Sequence, residues 1–154
     1  SVYVLRDLVD RRIPKTGGEM NLLSPFDNAI IHRDRVQQFF GFDYRIECYT
    51  PQEKRQYGYF CLPILYGNTF IGRVDCKAHL KNRQLELIHL NVEKQSMDIE
   101  LWVEPFVEII QKFATFNGCE SIKLTQISPL NNSLFLLLTN IFHQYYRDKG
   151  KLVD

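Results

Sequence analysis

Residues 59–75 read YFCLPILYGNTFIGRVD and contain the clearest hairpin pattern in the chain. Two β-rich runs, residues 59–66 and 69–75, flank the dipeptide Gly67-Asn68. Both residues of the dipeptide tolerate positive φ, which the type I′ and II′ turns of two-residue hairpins require. The segment therefore predicts an antiparallel β-hairpin.

A third strand is predicted at residues 84–91, where side chains alternate between two faces. One face would carry Leu85, Leu87 and His89, and the other Glu86, Ile88 and Leu90. A glycine at position 72 is placed to bend the second strand. Three strands of this kind predict a small antiparallel β-barrel or curled sheet.

The second half of the chain is helical in pattern. Apolar residues recur every three or four positions from residue 99 to residue 114, and Gly118 ends this stripe. Pro105 lies inside the stripe, where proline removes a hydrogen bond and clashes with the preceding turn. The helix therefore either begins near Glu104, with Pro105 in its first turn, or kinks at Pro105. Weaker patterns predict strands at residues 20–25, 44–49 and 121–127 and helices at 34–40 and 131–146, so the fold class is α+β with helices flanking the sheet.

Composition limits the class of protein. A chain of 154 residues with 45% hydrophobic residues can bury its own core and is most simply one domain. Lys and Arg number 19 against 18 Asp and Glu, so there is no global basic field of the kind that DNA-binding domains often carry. Any phosphate contacts must come from a local patch.

Cysteine and histidine spacing indicates no metal site. The cysteines, at positions 48, 61, 76 and 119, form no Cys-x-x-Cys pair, and reduced buried thiols are expected. The four histidines show no His-x-x-x-His pair. No apolar stretch approaches the roughly 20 residues that span a bilayer, and no signal peptide is evident. We expect a cytoplasmic protein.

A longer run of motifs surrounds the hairpin. In order it contains LLSPFDN (22–28), Arg33, Arg35, FGFDYR (40–45), KRQYGY (54–59), LPIL (62–65) and GRVDCK (72–77). In that order and at that spacing, the run resembles the YcaQ/AlkZ family of winged-helix DNA glycosylases. These are bacterial proteins linked to removal of alkylated bases and interstrand crosslinks from DNA. The resemblance is strong over the first half of the chain and holds in outline over the second.

The resemblance implies a place for this chain in a larger protein. The winged-helix and catalytic region of the family lies N-terminal to the motif run. Residues 1–20 would then be the tail of the last winged helix or a linker, and residues 21–154 a C-terminal α+β barrel domain. The full-length parent would be a hydrolase acting on double-stranded DNA without cofactor, while this chain would brace the catalytic half.

No catalytic residue is assigned to the chain. The family motif is glutamine, a hydrophobic residue, then glutamine or aspartate, and it positions the attacking water in the winged-helix half. Gln84-Leu85-Glu86 has a similar pattern but falls in a predicted strand after the hairpin, and Gln37-Gln38 is not the motif either. The chain alone is therefore not expected to be an enzyme.

The segment Ser24-Pro25-Phe26-Asp27 is the sharpest local motif. Pro25 fixes the chain direction, Phe26 is expected to be a buried anchor, and Asp27 is expected to bond backbone amides or an arginine such as Arg35 or Arg45. We interpret the segment as a rigid connector, with a DNA-facing role as the alternative.

The neighbouring segment FGFDYR combines aromatic and charged residues. Phe40, Phe42 and Tyr44 are interpreted as an aromatic corner of the core, beside a pair between Asp43 and Arg45. The alternative is a platform on which bases stack.

Candidate DNA contacts are basic side chains of the motif run. Phosphate binding needs several of them on one face, because each contact alone is weak and screened by salt. Lys54-Arg55, followed by Tyr57 and Tyr59, is the best local patch because a loop there would present charge and aromatic surface together. The full candidate set is Arg33, Arg35, Arg45, Lys54, Arg55, Arg73 and Lys77.

Two other functions are compatible with the sequence. One is a ligand-sensing or interaction domain of a winged-helix transcriptional regulator. The other is an N-acetyltransferase-like enzyme, because residues 67–127 approximate its β–β–α–β order, although that fold binds coenzyme A on a glycine-rich turn and residues 94–98 contain no glycine. The chain also departs from the family pattern at Ile31-His32 and around residues 76–80.

Overall fold

The computed structural model describes Arg6, residues 17–93 and residues 98–150, with side chains of the last helix as far as Gln144. The strands are β1 (Met20–Leu22), β2 (Leu62–Tyr66), β3 (Thr69–His79), β4 (Gln84–Val92), β5 (Ser121–Leu124) and β6 (Ile127–Ser128). The helices are α1 (Arg33–Phe40), α2 (Ile99–Phe116) and α3 (Asn132–Gly150), with short 3₁₀ turns at Gln52–Lys54 and Leu80–Asn82. Most of the predicted tail, residues 1–20, lies outside the described residues.

The sheet has the strand order β1-β2-β3-β4-β5, and β6 pairs with β4 beyond β5. Strands β1 to β4 are antiparallel, and the predicted hairpin is confirmed with Tyr66 opposite Thr69. Strands β5 and β6 pair with β4 in parallel, because α2, which follows β4 and precedes β5, carries the chain back across the sheet. The α+β class with a curled sheet is confirmed, and the sheet is a mixed half-barrel.

The larger core lies between the inner face of the sheet and the helices α2 and α3. Most of its buried side chains are aliphatic, and each large side chain stabilises the fold by roughly 1.5–3 kcal/mol. The fully buried residues of this core include Trp102, Phe106, Ile110, Leu85, Leu87, Leu90, Leu138 and Phe142.

None of the helices in the described part of the chain has the length and apolarity needed to cross a membrane.

Helix α2 runs through Pro105 without interruption. Asp98 caps it, accepting a hydrogen bond from the Glu100 amide at 3.1 Å. The predicted start near Glu104 is therefore wrong. Trp102 and Val103, both buried, lie before the proline, so packing of the first turns outweighs the hydrogen bond that Pro105 removes.

A bulge in β4 changes which of its residues face the core. Asp75 of β3 lies opposite His89 and Cys76 lies opposite Leu87, so Ile88 has no partner. The extra residue shifts the alternation by one, and Leu90 becomes fully buried while His89 turns to the outer face. The predicted alternation was wrong at His89 and Leu90 for this reason.

A second irregularity lies at Gly72, where the sequence predicted a bend. Ile64 pairs with Gly72 but Leu65 pairs with Phe70, which leaves Ile71 as an extra residue of β3. A Cβ atom at Gly72 would overlap the carbonyl oxygen of Asn91 on β4. The glycine thus permits close approach of two backbones at the curled part of the sheet.

A smaller core cluster joins α1 to the hairpin. Residues 41–47 form no strand, so the predicted strand at 44–49 is wrong. Its alternation reflects packing instead: Phe42 stacks on Phe70 with ring centroids 4.6 Å apart, and the Tyr44 hydroxyl donates to the Cys61 carbonyl at 2.6 Å. Phe42 and Tyr44 are buried and form an aromatic corner of the core.

Glu86 lies at the centre of a polar network on the outer face of the sheet. The Thr125 hydroxyl donates to it at 2.7 Å, the His79 ring lies 2.8 Å away, and Lys123 contacts it at 3.4 Å. Hydrogen bonds from Thr125 and His79 lower the pKa of Glu86 to about 2. The carboxylate therefore ties β4 to the chain around β5.

Glu86→Gln should lower the free energy of unfolding by on the order of 2 kcal/mol at neutral pH. The folded-state pKa of about 2 lies below the ordinary value of 4.5, so the stabilisation is complete above the ordinary value and is lost as the pH falls toward 2. Urea unfolding from neutral pH to about pH 3 should show a shallower loss of stability in Glu86→Gln than in the parent chain. Glu53→Gln, at an exposed glutamate, is the control; equal pH dependence in parent and Glu86→Gln would contradict the assignment.

Candidate nucleic-acid groove

An open groove of about 840 Å³ lies between the loop of residues 52–60 and the outer face of β3 and β4. We call it the polar groove. Charged, aromatic and amide side chains converge on it, which is typical of binding sites. Its main functional side chains are Arg55, Tyr57 and Tyr59 from the loop and Asp75, Lys77 and His89 from the sheet.

Two carboxylates hold the loop in place. Glu47 accepts hydrogen bonds from the backbone amides of residues 56, 57 and 58 at 2.9, 2.7 and 3.0 Å. Asp75, which is 5% exposed, accepts from the amides of Tyr59 and Phe60 at 2.7 and 3.2 Å. Five consecutive amides outside any strand are thereby satisfied. We call this arrangement the carboxylate clamp.

The ionised state of Glu47 and the absence of a side chain at Gly58 both favour the carboxylate clamp. Partial burial by itself raises the pKa of Glu47, but the three amide hydrogen bonds outweigh it and leave the pKa below its ordinary value. Gly58 has a φ of +148°, and a Cβ atom there would overlap the Asp75 carboxylate. Only glycine lets the loop backbone approach the buried aspartate this closely.

His89 fastens the middle of the loop to the sheet. Its Nδ1 lies 3.0 Å from the Tyr57 carbonyl, and its Nε2 lies 2.8 Å from the Ser128 hydroxyl. A carbonyl only accepts, so Nδ1 carries a proton, while the Ser128 hydroxyl, which can donate or accept, pairs with Nε2. The β4 bulge is what directs this ring to the outer face.

Arg73 is buried beneath the groove loop and packs against Tyr57. It is 1% exposed, donates from Nε to Glu93 at 2.7 Å and from Nη2 to the Asp43 carbonyl at 2.6 Å. Its guanidinium lies 4.0 Å from the centre of the Tyr57 ring. Burial and pairing remove Arg73 from the candidate DNA contacts, a correction to the sequence-based set.

Three other basic candidates lie away from the polar groove. Arg33 donates to the carbonyls of Ile30 and Pro25 at 2.7 and 3.1 Å, and Arg35 donates to the Asn28 carbonyl. Both line a separate surface hollow of about 700 Å³. Arg45 forms a 4.0 Å pair with Asp43 in which both side chains are largely exposed.

The remaining basic candidates cluster. Arg55 and Lys77 line the polar groove, and Lys54 is exposed next to Arg55. The Arg55 Nε donates to the Thr50 carbonyl at 2.8 Å, and its guanidinium lies 4.9 Å from the centre of the Tyr59 ring. The structure thus brings loop and sheet cations to one groove.

The Ser-Pro-Phe-Asp segment forms a hydrogen-bonded turn. Asp27 accepts from the Ala29 amide at 2.7 Å, and Ser24 accepts from the Phe26 amide at 3.2 Å. The predicted burial of Phe26 is wrong, because its side chain is 58% exposed. The ring leans on Phe60, with centroids 6.1 Å apart, so it covers the end of the groove loop instead of entering the core.

The sequence interpretation missed the residues that build the groove. Glu47 was placed in a strand that does not exist, and His89 was assigned to the core face. Asp75 carried a usable signal, since an aspartate inside an apolar strand is seldom buried without partners. Burial and the neighbouring Asp75 carboxylate also raise the pKa of the Cys76 thiol to about 12, so it stays protonated at neutral pH.

Metal chemistry finds no support in the described part of the chain, which holds no group of three or more His, Cys, Asp or Glu side chains placed around a common ion. All four cysteines are free thiols.

Comparison with known proteins gives one positive result. No solved structure matches the chain significantly. The family model described as DNA glycosylase AlkZ-like matches residues 1–104, which include the motif run, β1 to β4 and the carboxylate clamp. Because this match covers more than half of the 154 residues, the chain belongs to the AlkZ-like DNA glycosylase family.

Proposed function

We propose that this chain is a DNA-supporting domain of a winged-helix glycosylase, and that its polar groove contacts the DNA backbone. The observation that carries the proposal is the convergence of Arg55 and Lys77, from separate parts of the chain, on one groove. Cations placed in this way bind phosphates without reading sequence. Lys54 adds a third cation at the edge of the same loop.

The groove side chains favour a supporting role over a catalytic one. Asp75 already accepts two amide hydrogen bonds, and both nitrogens of His89 have partners. The thiol of Cys76 is protonated at neutral pH. A general base needs an accepting atom within reach of a water molecule, whereas Asp75 is buried and both nitrogens of His89 are engaged. Catalysis is assigned instead to the glutamine motif of the winged-helix region that the family resemblance implies.

The proposed parent acts on alkylated or crosslinked DNA in the cytoplasm. Extruding a damaged base from the duplex requires a rigid surface that holds the flanking backbone. The carboxylate clamp supplies such rigidity to the loop that carries Lys54 and Arg55. With a net charge of +1, the isolated chain should bind DNA weakly, with a dissociation constant on the order of 10⁻⁴ M near physiological salt.

One observation relates to the acetyltransferase alternative. Strands β4 and β5 are parallel and joined by α2, as that fold requires. Its pyrophosphate site, however, is a glycine-rich turn at the start of the helix, and residues 93–98 contain no glycine. DNA binding therefore remains the better supported function.

Arg55→Ala and Lys77→Ala should each weaken binding to duplex DNA several-fold. Each should also reduce the slope of log affinity against log salt concentration by about 1, since one phosphate contact is lost. Fluorescence anisotropy over a salt series measures both effects. Lys112→Ala on α2 is the matched control, because Lys112 is an exposed lysine far from the groove loop in sequence, and it pairs with Glu108 on its own helix. Equal effects of all three substitutions would show that net charge alone controls binding.

Glu47→Gln should weaken DNA binding although it removes a negative charge. The amide side chain cannot satisfy three backbone amides as a carboxylate does, so the loop that presents Arg55 loses its position. Glu53→Gln is the control, since it removes a charge from the same loop without breaking a hydrogen bond in the described structure. Electrostatics alone predicts stronger binding for both variants; stronger binding by Glu47→Gln would refute the role of the clamp.

Incubation of the chain with DNA containing N7-alkylated guanine should generate no abasic sites above background. Strand cleavage in hot alkali, followed by gel electrophoresis, detects such sites. Activity that persists in a freshly purified chain would overturn the supporting role, and substitution of Glu86 and His89 would then identify the source.

A further inference from the structure

We propose that the polar groove holds one unpaired nucleotide, with its base stacked on Tyr59 and its phosphates between Arg55 and Lys77. This inference rests on the proposed function and names the form of DNA that the groove accepts. It concerns the strand that is displaced or unstacked near a lesion, while the surrounding duplex contacts the exposed cations.

Tyr59 is the aromatic side chain of the groove that remains available to a ligand. Its side chain is 54% exposed although Arg55 lies over one face of the ring, whereas the Tyr57 ring is half-buried and packs on buried Arg73 at 4.0 Å. The backbone of Tyr59 is fixed by its amide hydrogen bond to Asp75 at 2.7 Å. A ring that is exposed and yet fixed at its backbone loses little entropy when a base stacks on it.

Arg55 adds a cation to the same surface. Its guanidinium lies 4.9 Å from the Tyr59 ring centre and is oriented by the Nε hydrogen bond to Thr50. This bond uses Nε alone, and among the described residues the two terminal nitrogens make no hydrogen bond, so they can contact a phosphate. Aromatic stacking beside a positively charged groove is how proteins bind single strands without sequence preference.

Size excludes the duplex from the groove itself. A volume of about 840 Å³ falls in the range of small-molecule sites. A B-form duplex has a major groove about 12 Å wide and is broader still across its whole section, so it can only lie over the rim. A nucleotide freed from the stack can enter.

The Gln126 side chain, which lines the groove on the side of β5 and β6, can hydrogen-bond to the edge of any base. Gln126, exposed between β5 and β6, offers an amide that both donates and accepts, and its backbone carbonyl is held by the Leu90 amide at 2.9 Å. One adaptable amide gives an edge contact without selecting a base. The site should therefore prefer unpaired over paired DNA and show little preference among sequences.

The test compares a fluorescently labelled strand of about 12 nucleotides, alone and annealed to its complement. The variants are Tyr59→Ala, Tyr59→Phe and, as a matched control, Tyr49→Ala, which removes a tyrosine that is 86% exposed. The side chain of Tyr59 makes no hydrogen bond in the described structure, so its truncation leaves the carboxylate clamp intact. Thermal unfolding of each variant checks that the fold is retained.

We expect Tyr59→Ala to weaken single-strand binding by roughly 5- to 100-fold. Tyr59→Phe and Tyr49→Ala should bind the single strand within about 2-fold of the parent, since they keep the stacking ring. Duplex affinity should change little in all three. Single-strand binding that is absent, or that Tyr59→Ala leaves unchanged, overturns the inference; equal loss for strand and duplex overturns it as well. If duplex binding still depends on Arg55 and Lys77 in those cases, the proposed function stands without it.

Discussion

Five consecutive backbone amides, from Gln56 to Phe60, have no strand to pair with, and the structure around the groove depends on how they are satisfied. A buried amide without a partner costs about 1–3 kcal/mol, so the loop would not keep this path unaided. The carboxylates of Glu47 and Asp75 provide the acceptors. They come from opposite sides of the loop in sequence, and the loop is thereby fixed to both the aromatic corner and the sheet.

The buried guanidinium of Arg73 links the smaller core cluster to the groove loop. It lies 4.6 Å from the Phe42 ring centre on one side and 4.0 Å from that of Tyr57 on the other. A charge this deeply buried is stable only when paired and hydrogen-bonded, and Glu93 and the Asp43 carbonyl meet that need. One of its terminal nitrogens, Nη1, has no hydrogen-bond partner among the described residues. Aromatic faces around the guanidinium compensate for part of that loss.

Local sequence patterns were sufficient to predict the elements whose structure depends on neighbouring residues. The hairpin around Gly67-Asn68, helix α1 before Gly41 and the apolar stripe of α2 were predicted because turn chemistry and periodicity determine them. The groove was not, because it depends on contacts between residues far apart in the chain. Glu47 contacts residues 9 to 11 positions away, and Asp75 contacts residues 15 and 16 positions away. Phe26 was misjudged for the same reason, since only the position of Phe60 shows that its ring covers the loop from outside.

The unpaired residue Ile88 interrupts the alternation of β4 and so decides which sequence positions after it face the core. Upstream of the bulge, Leu85 and Leu87 face the core, and downstream Leu90 does, with His89 directed outward. Replacing Ile88 alters one side chain at the rim of the groove. Deleting it would give a continuous ladder in which Leu87 and Leu90 still face the core and His89 still faces outward, because Asp75 and Cys76 already pair with His89 and Leu87. Diverging copies of this domain are therefore free to replace the residue at position 88 or to lose it, since His89 and Leu90 keep their faces in either case.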